Sequence, residues 1–254
     1  WPGPLTLVVP RRTGTGRVCD LACAGLDTVG LRVPAAPFLA EAIARFGRPL
    51  AGPSANRSGK ISPTTAAAVM EDLSGRIELV IDGGDTPVGI ESTIIACIDG
   101  TVRLLRPGGI PAEDIIAVTG PDLVEAGKGE QPVAPGMLSS HYAPDAPLRL
   151  NARRVLAGEA LLAFGPHLPE DHEIAVEILN LSPRGDLTRA ASRLYRHLRA
   201  LDRFRPVAIA VSPIPETGLG AAIADRLRRA AAPRTPPEQD FHADDGSQRI
   251  DMDH

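Results

Sequence analysis

Long apolar runs, basic excess and paired cysteines are what this chain has least of. Among its 254 residues no run approaches the roughly 20 apolar residues that a membrane-spanning helix needs, which argues against a membrane role. Its 27 Lys and Arg are outnumbered by 31 Asp and Glu, for a net charge of -4. The chain as a whole therefore lacks the basic footprint of a protein that lives on nucleic acid, and any RNA contact has to be local. Three cysteines, Cys19, Cys23 and Cys97, cannot all pair and form no disulfide framework, which fits a reducing cytoplasm. Cys19 and Cys23 stand four apart, but no second thiol pair or nearby histidine completes a zinc site. There is also no initiator Met and no charged leader. The chain opens on Trp1-Pro2-Gly3-Pro4, and the expectation is that residues precede it.

What is present has a globular balance, 43% apolar and 23% charged, with length enough for two domains. Residues 5–9 read as a strand. Residues 28–33 alternate: Val29, Leu31 and Val33 share one face, while Thr28, Gly30 and Arg32 share the other, the wall of a polar pocket or a solvated face. Pro37 starts a helix that Gly47 ends. A strand over 49–52 then leads into residues 53–64, Pro-Ser-Ala-Asn-Arg-Ser-Gly-Lys-Ile-Ser-Pro-Thr, ahead of a helix over 65–73. Two readings of that loop stand side by side. Its hydroxyls, glycine and cations suit an anion cradle at a helix start, or Ser62 or Thr64 merely caps the helix.

A further strand is expected over 78–81, stopped by Asp82-Gly83-Gly84-Asp85, whose acids serve turn geometry rather than a metal. Residues 92–98 and 101–106 flank Asp99-Gly100, a hairpin signal. Arg106 ends that hairpin beside Pro107-Gly108-Gly109, where a guanidinium can reach a phosphate. Pro111 opens another helix. Residues 119–147 read as a linker that carries His141-Tyr142 between prolines. Beyond it, strands over 159–164, 174–179 and 207–211 interleave with helices over 187–201 and 219–231, a small parallel α/β unit. Arg189, Arg193, Arg196, Arg199 and Arg203 fall mostly off the apolar stripe of the first of these helices, and the reading is a solvated face rather than an RNA contact. The last twenty or so residues have the composition of a disordered tail.

Five ordered motifs, Trp1-Pro2-Gly3-Pro4-Leu5-Thr6, Val29 to Pro34, Pro53 to Gly59, Glu91-Ser92-Thr93 and Leu105-Arg106-Pro107-Gly108, together with the Pro-Gly-Met and His-Tyr-Ala-Pro linker, resemble the YrdC-like threonylcarbamoyl-AMP synthases in their longer two-domain form. The resemblance implies an α/β fold: a YrdC-like twisted mixed sheet with helices over 1–118, a linker or lid over 119–148, a smaller Rossmann-like α/β domain over 149–232, and a tail over 233–254. It implies a cytoplasmic nucleotidyltransferase that joins L-threonine, bicarbonate and ATP, with Mg²⁺ accompanying ATP, into threonylcarbamoyl-AMP and pyrophosphate for tRNA modification. Residue by residue it assigns Thr28, Ser54, Ser62 and Arg106, with Asn56 beside them, to ATP, and Arg32, Gly52 and Ser92 to threonine. His141, ahead of Tyr142, reaches from the linker over the nucleotide. Either tRNA or a downstream transferase complex is the implied partner.

The family's preceding segment, with its Lys-x-Arg element and Thr-Tyr loop, lies outside these residues, and catalysis is expected to need it. Two rival readings remain. One is a noncatalytic RNA-binding module on the same domain. The other is a carbamoyl transferase of hydrogenase maturation, which would bring zinc-finger cysteine pairs that this sequence does not contain.

Overall fold

The computed structural model describes residues 1–12, 14, 18–125 and 142–233. Two sheets organise them. The first has the order β2-β1-β3-β4-β5, formed by β1 (Leu5–Pro10), β2 (Thr28–Leu31), β3 (Thr93–Ile98), β4 (Thr101–Arg106) and β5 (Val124–Glu125). β1 runs parallel to β3, while β2 and β4 run antiparallel to these neighbours. The C-terminal ends of β2 and β4 therefore lie at the same edge of the sheet as the N-terminal ends of β1 and β3. The β3–β4 turn is the expected Asp99-Gly100 pair, both at positive φ (50° and 73°), which matches the right-handed twist of the flanking strands.

Helix α1 (Pro37–Phe46) starts on its proline and stops at Gly47, whose φ of 70° is the left-handed cap. Helix α2 (Ala66–Leu73) is capped by Thr65, whose hydroxyl accepts from the Ala68 N–H at 3.1 Å. Helix α3 (Ala112–Thr119) carries Glu113 and Asp114 in its first turn and packs Ile115 against Ile95 and Leu104.

Two expected strands are absent. Residues 49–52 and 78–81 are irregular, with Leu50, Leu79 and Ile81 exposed. A short apolar run becomes a strand only where a neighbour takes its backbone hydrogen bonds, and among the described residues the sheet ends on β2 and β5 without pairing either run. The glycine turn after the second run is as expected, with Asp82 Oδ1 accepting from the Gly84 N–H at 2.9 Å.

The second sheet is all parallel in the order β6-β9-β7-β8, formed by β6 (Leu148–Arg149), β7 (Glu159–Ala163), β8 (Ile178–Asn180) and β9 (Ala208–Val211). Helices α4 (Leu187–Asp202) and α5 (Leu219–Ala231) complete it. The strand expected over 174–179 begins at Ile178, because residues 172–174 form a 3-10 turn. β6 was not anticipated; two residues carry no periodicity.

The core of this second unit does not stop at its own boundary. Ile61 and Ile90 of the first unit and Tyr142 pack into the same cluster as Leu162, Leu194, Leu198, Ile209 and Ile223. Gly89 allows that approach: at φ 74°, a Cβ there would stand 2.4 Å from the Ser192 Cα of α4.

Candidate active site

The shared sheet edge gathers the polar residues. Continuing the β1–β2 register by one residue from Leu7↔Leu31 sets Arg32 across from Thr6, and Thr28, Gly30 and Arg32 alternate onto one face. Thr6 uses that face, since its Cγ2 is the nearest atom to a Cβ built on Gly30, at 3.5 Å. Its hydroxyl hydrogen-bonds the Ser92 hydroxyl at 2.7 Å. At the end of β4, Arg106 is buried and donates from Nη2 to the Ser92 carbonyl at 2.8 Å and to the Ser92 hydroxyl at 3.2 Å, with Nε adding a bond to the same carbonyl at 3.2 Å. Four strand ends thus place Thr6, Arg32, Ser92 and Arg106 around one corner.

That corner tolerates no side chain at Gly108, where a Cβ would fall 2.4 Å from the carbonyl carbon of Ser92 and the nitrogen of Thr93. Burial lowers the pKa of Arg106 below the ordinary arginine value, and the nearby Arg226 cation adds to the effect.

Glu91, immediately before Ser92, links the corner to the serine-rich loop. Its Oε1 accepts from the Ser62 hydroxyl at 2.6 Å and from Tyr195 of α4 at 3.1 Å. Its Oε2 accepts from Tyr195 at 2.9 Å and from Arg226 Nε of α5 at 2.7 Å. Burial alone would raise the Glu91 pKa, but Arg226, the Ser62 hydroxyl and Arg106 outweigh it and hold the carboxyl below its usual range.

Arg226 is 1% exposed, pairs with Asp225 at 2.6 Å, and lies 5.3 Å over the Tyr142 ring. Tyr142 stacks on Tyr195 with centroids 5.8 Å apart. Burial raises the pKa of both phenols, with the Glu91 charge adding to it.

The loop itself is held at its far end. Asn56 donates to the carbonyls of Arg57 and Lys60, Ala143 donates to the Gly59 carbonyl, and Lys60 pairs with Asp145 at 2.5 Å. Of the residues assigned from the sequence, the structure brings Arg32, Ser92 and Arg106 to one edge, leaves Thr28 on the face of Arg32 but at the opposite end of β2, across from Pro10, ties Ser62 to the edge through Glu91, and gives Asn56 a scaffolding contact. Gly52 and Ser54 lie exposed on the opening half of the loop. His141 lies outside the described residues.

Three residues bonded to this arrangement were not singled out from the sequence: Glu91, Tyr195 and Arg226. For Tyr195 and Arg226 the signal was present as polar or charged residues on the apolar faces of their helices, Tyr195 beside Leu194 and Leu198, and Arg226 between Ile223 and Leu227; Glu91, outside any helix, had none.

The arginines of α4 also read differently in three dimensions. Arg199 pairs with Asp72 at 2.7 Å and donates to the Ile61 carbonyl, Arg203 pairs with Glu71, and Arg196 pairs with Asp85 at 3.2 Å. Part of the face taken for a solvated one, at Arg196, Arg199 and Arg203, is a seam between the two units. It was not legible because pairing to residues more than a hundred positions away leaves no local pattern.

A mixed sheet with a polar corner, docked on a parallel α/β unit, defines the class of two-unit α/β proteins with a YrdC-like first domain. The family model described as "Telomere recombination" matches residues 1–108, and the one described as "Threonylcarbamoyl-AMP synthase, C-terminal domain" matches residues 110–232. The chain is 39% identical over 248 residues to the threonylcarbamoyl-AMP synthase of Bacillus subtilis, covering 92% of this chain and 71% of that one. It is 40% identical over 254 residues to that of Pyrococcus abyssi, covering 92% and 72%. The crystal structure of P. abyssi Sua5 complexed with L-threonine superposes with a TM-score of 0.79 at 34% identity, covering 91% of this chain and 71% of that one. The chain belongs to the threonylcarbamoyl-AMP synthase family.

Proposed function

We propose that this protein is a threonylcarbamoyl-AMP synthase, a nucleotidyltransferase that condenses L-threonine, bicarbonate and ATP and releases pyrophosphate. Bicarbonate, on taking up a proton, gives up water to yield carbon dioxide, which the neutral threonine amine takes up as a carbamate with loss of a proton. A carbamate oxygen then attacks the α-phosphorus, and the bond to the pyrophosphate leaving group breaks. Orientation and fixed positive charge suffice for this chemistry, and no covalent nucleophile on the protein is needed.

In this reading Arg32 receives the threonine carboxylate as a planar fork, with Gly52 and Ser92 on the same side. Thr28, Ser54, Asn56, Ser62 and Arg106 serve the nucleotide, and His141 closes over it from the linker. The observation that supports the reading is the bond from Arg106 to Ser92, which joins a residue assigned to the nucleotide directly to one assigned to threonine.

Glu91, the carboxylate nearest the corner, is already engaged by Arg226, Tyr195 and Ser62. In this reading Mg²⁺ would accompany ATP and neutralise phosphate charge. No described helix is long and apolar enough to cross a membrane, and the three cysteines are free, as a reducing cytoplasm would keep them. The product would serve threonylcarbamoyladenosine formation on tRNA, through tRNA itself or a downstream transferase.

The test is pyrophosphate release from ATP by the full-length protein, which is expected to require both threonine and bicarbonate. No release, alongside salt-sensitive tRNA binding, would instead favour the noncatalytic module.

A further inference from the structure

The second unit reaches the polar corner through one carboxylate. Glu91 accepts from Ser62 on one side and from Tyr195 and Arg226 on the other, while its own carbonyl accepts from the Gly109 N–H at 2.9 Å, just past Arg106. Its chain neighbour Ser92 holds the Arg106 guanidinium. A side chain with that many fixed partners cannot move without moving both the serine loop and the arginine. Arg226 is placed to do the holding: it is 1% exposed, its Nε bonds Glu91, its Nη1 bonds Asp225, and its Nη2 is buried without a partner.

A buried guanidinium with an unsatisfied donor is costly. A hydrophobic residue at this position of α5 would match its neighbours Ile223 and Leu227 and would pack without that cost.

We propose that Arg226 is a positioning residue for the nucleotide side of the site, acting through Glu91 on the Ser62 hydroxyl, so that the second unit is a working part of the synthase centre rather than an appended module. This rests on the synthase reading above. It also fixes the polarity of Ser62. A hydroxyl has one proton, and that of Ser62 is committed to Glu91 at 2.6 Å. Toward a ligand Ser62 therefore offers only lone pairs. It accepts from a donor on the nucleotide, a ribose hydroxyl or the adenine amine, and does not donate to a phosphate oxygen.

The test is a cycle in the full-length protein with Arg226→Met, Ser62→Ala and the double variant, measuring ATP affinity by calorimetry and the KM values for ATP and threonine by pyrophosphate release. Each single change is expected to weaken ATP about tenfold and to move the threonine KM less than twofold. The double variant is expected to match Ser62→Ala alone, because both act along one chain of bonds, and Arg226→Lys is expected to restore at least half of the loss. Should Arg226→Met fail to fold, Tyr195→Phe, which removes one donor to Glu91, is expected to weaken ATP two- to threefold and again not to add to Ser62→Ala. Unchanged ATP affinity in a folded Arg226→Met or Tyr195→Phe protein, or losses that multiply with Ser62→Ala, would overturn the proposal. A wild-type protein that binds ATP but releases no pyrophosphate would overturn the synthase reading instead, while the calorimetric cycle still decides the role of Arg226.

Discussion

The seam between the two units makes a quantitative prediction at Asp72 and Arg199. The Asp72 side chain is 3% exposed and that of Arg199 16%, and they meet through Nη2 to Oδ2 at 2.7 Å. Breaking a buried pair by removing one partner strands the other charge and costs about 3–5 kcal/mol. Two local details pull the figure to the low end. Arg57 Nε stands 3.7 Å from Asp72 and remains when Arg199 is removed, and Arg199 keeps the Ile61 carbonyl when Asp72 is removed.

We therefore expect Asp72→Asn and Arg199→Met each to cost about 3 kcal/mol, with a coupling energy near 2 kcal/mol from the double variant. The pair Glu71 and Arg203, with side chains 47% and 66% exposed, provides the internal control. Its coupling should stay within about 0.2–1 kcal/mol, because water already screens both charges. Urea unfolding followed by circular dichroism measures both cycles. Equal coupling in the two cycles, or less than about 0.5 kcal/mol for the buried pair, would refute the claim that burial makes this bond a staple.

Other perturbations follow from the same geometry. Gly89→Ala places a Cβ 2.4 Å from Ser192 Cα in left-handed backbone, so α4 must retreat, and thermal unfolding should show a loss of at least about 2 kcal/mol; an unchanged Tm would contradict the close approach. Arg32→Ala should raise the threonine KM about tenfold or more while leaving ATP binding within twofold, as losing a carboxylate partner predicts; steady-state kinetics with each substrate varied decides it. The half-buried His197 ring has its pKa lowered to about 4, chiefly by its partial burial and then by Arg193 and Arg196. Its neutral form is favoured by folding, so the stability it allows is full above pH 6.5 and is lost as pH falls toward 4. His197→Gln should flatten the pH dependence of urea midpoints over that window, and parallel curves would count against it.

Much of the fold could be read from sequence because its signals are local. The Gly47 stop, the Thr65 cap, the Asp99-Gly100 hairpin and the apolar stripe of α4 each act within a few residues of where they are written. The two strands wrongly expected over 49–52 and 78–81 failed for the complementary reason. Each had a strand's composition, but composition cannot supply a neighbour.

The site was legible to the same degree and no further. Arg32 and Arg106 stood out as cations ending apolar strands, yet nothing near Ser62 in the chain announced that its proton goes to Glu91, or that Glu91 is held by residues 104 and 135 positions later.

This division has a consequence for how the second unit should be understood. Were it a separate module, its surface toward the first unit would carry exposed, screened charges, and the arginines of α4 would be interchangeable with other polar residues. The rim of the seam does carry such charges, between Arg196 and Asp85 and between Arg203 and Glu71, but its centre is closed by apolar packing through Ile61 and Ile90, and Glu91, Arg226 and Tyr195 share a single buried network there. In such surroundings each bond depends on the others being made. Acid should expose that dependence. Folding holds the Glu91 pKa below its ordinary value of 4.5, so its contribution is present above that pH and disappears as pH falls through the lowered value. The two units should then part together with the loss of ATP affinity rather than after it. Limited proteolysis and calorimetry on one acid titration would show whether the two events coincide, and separate midpoints would mean that the seam and the site are independent after all.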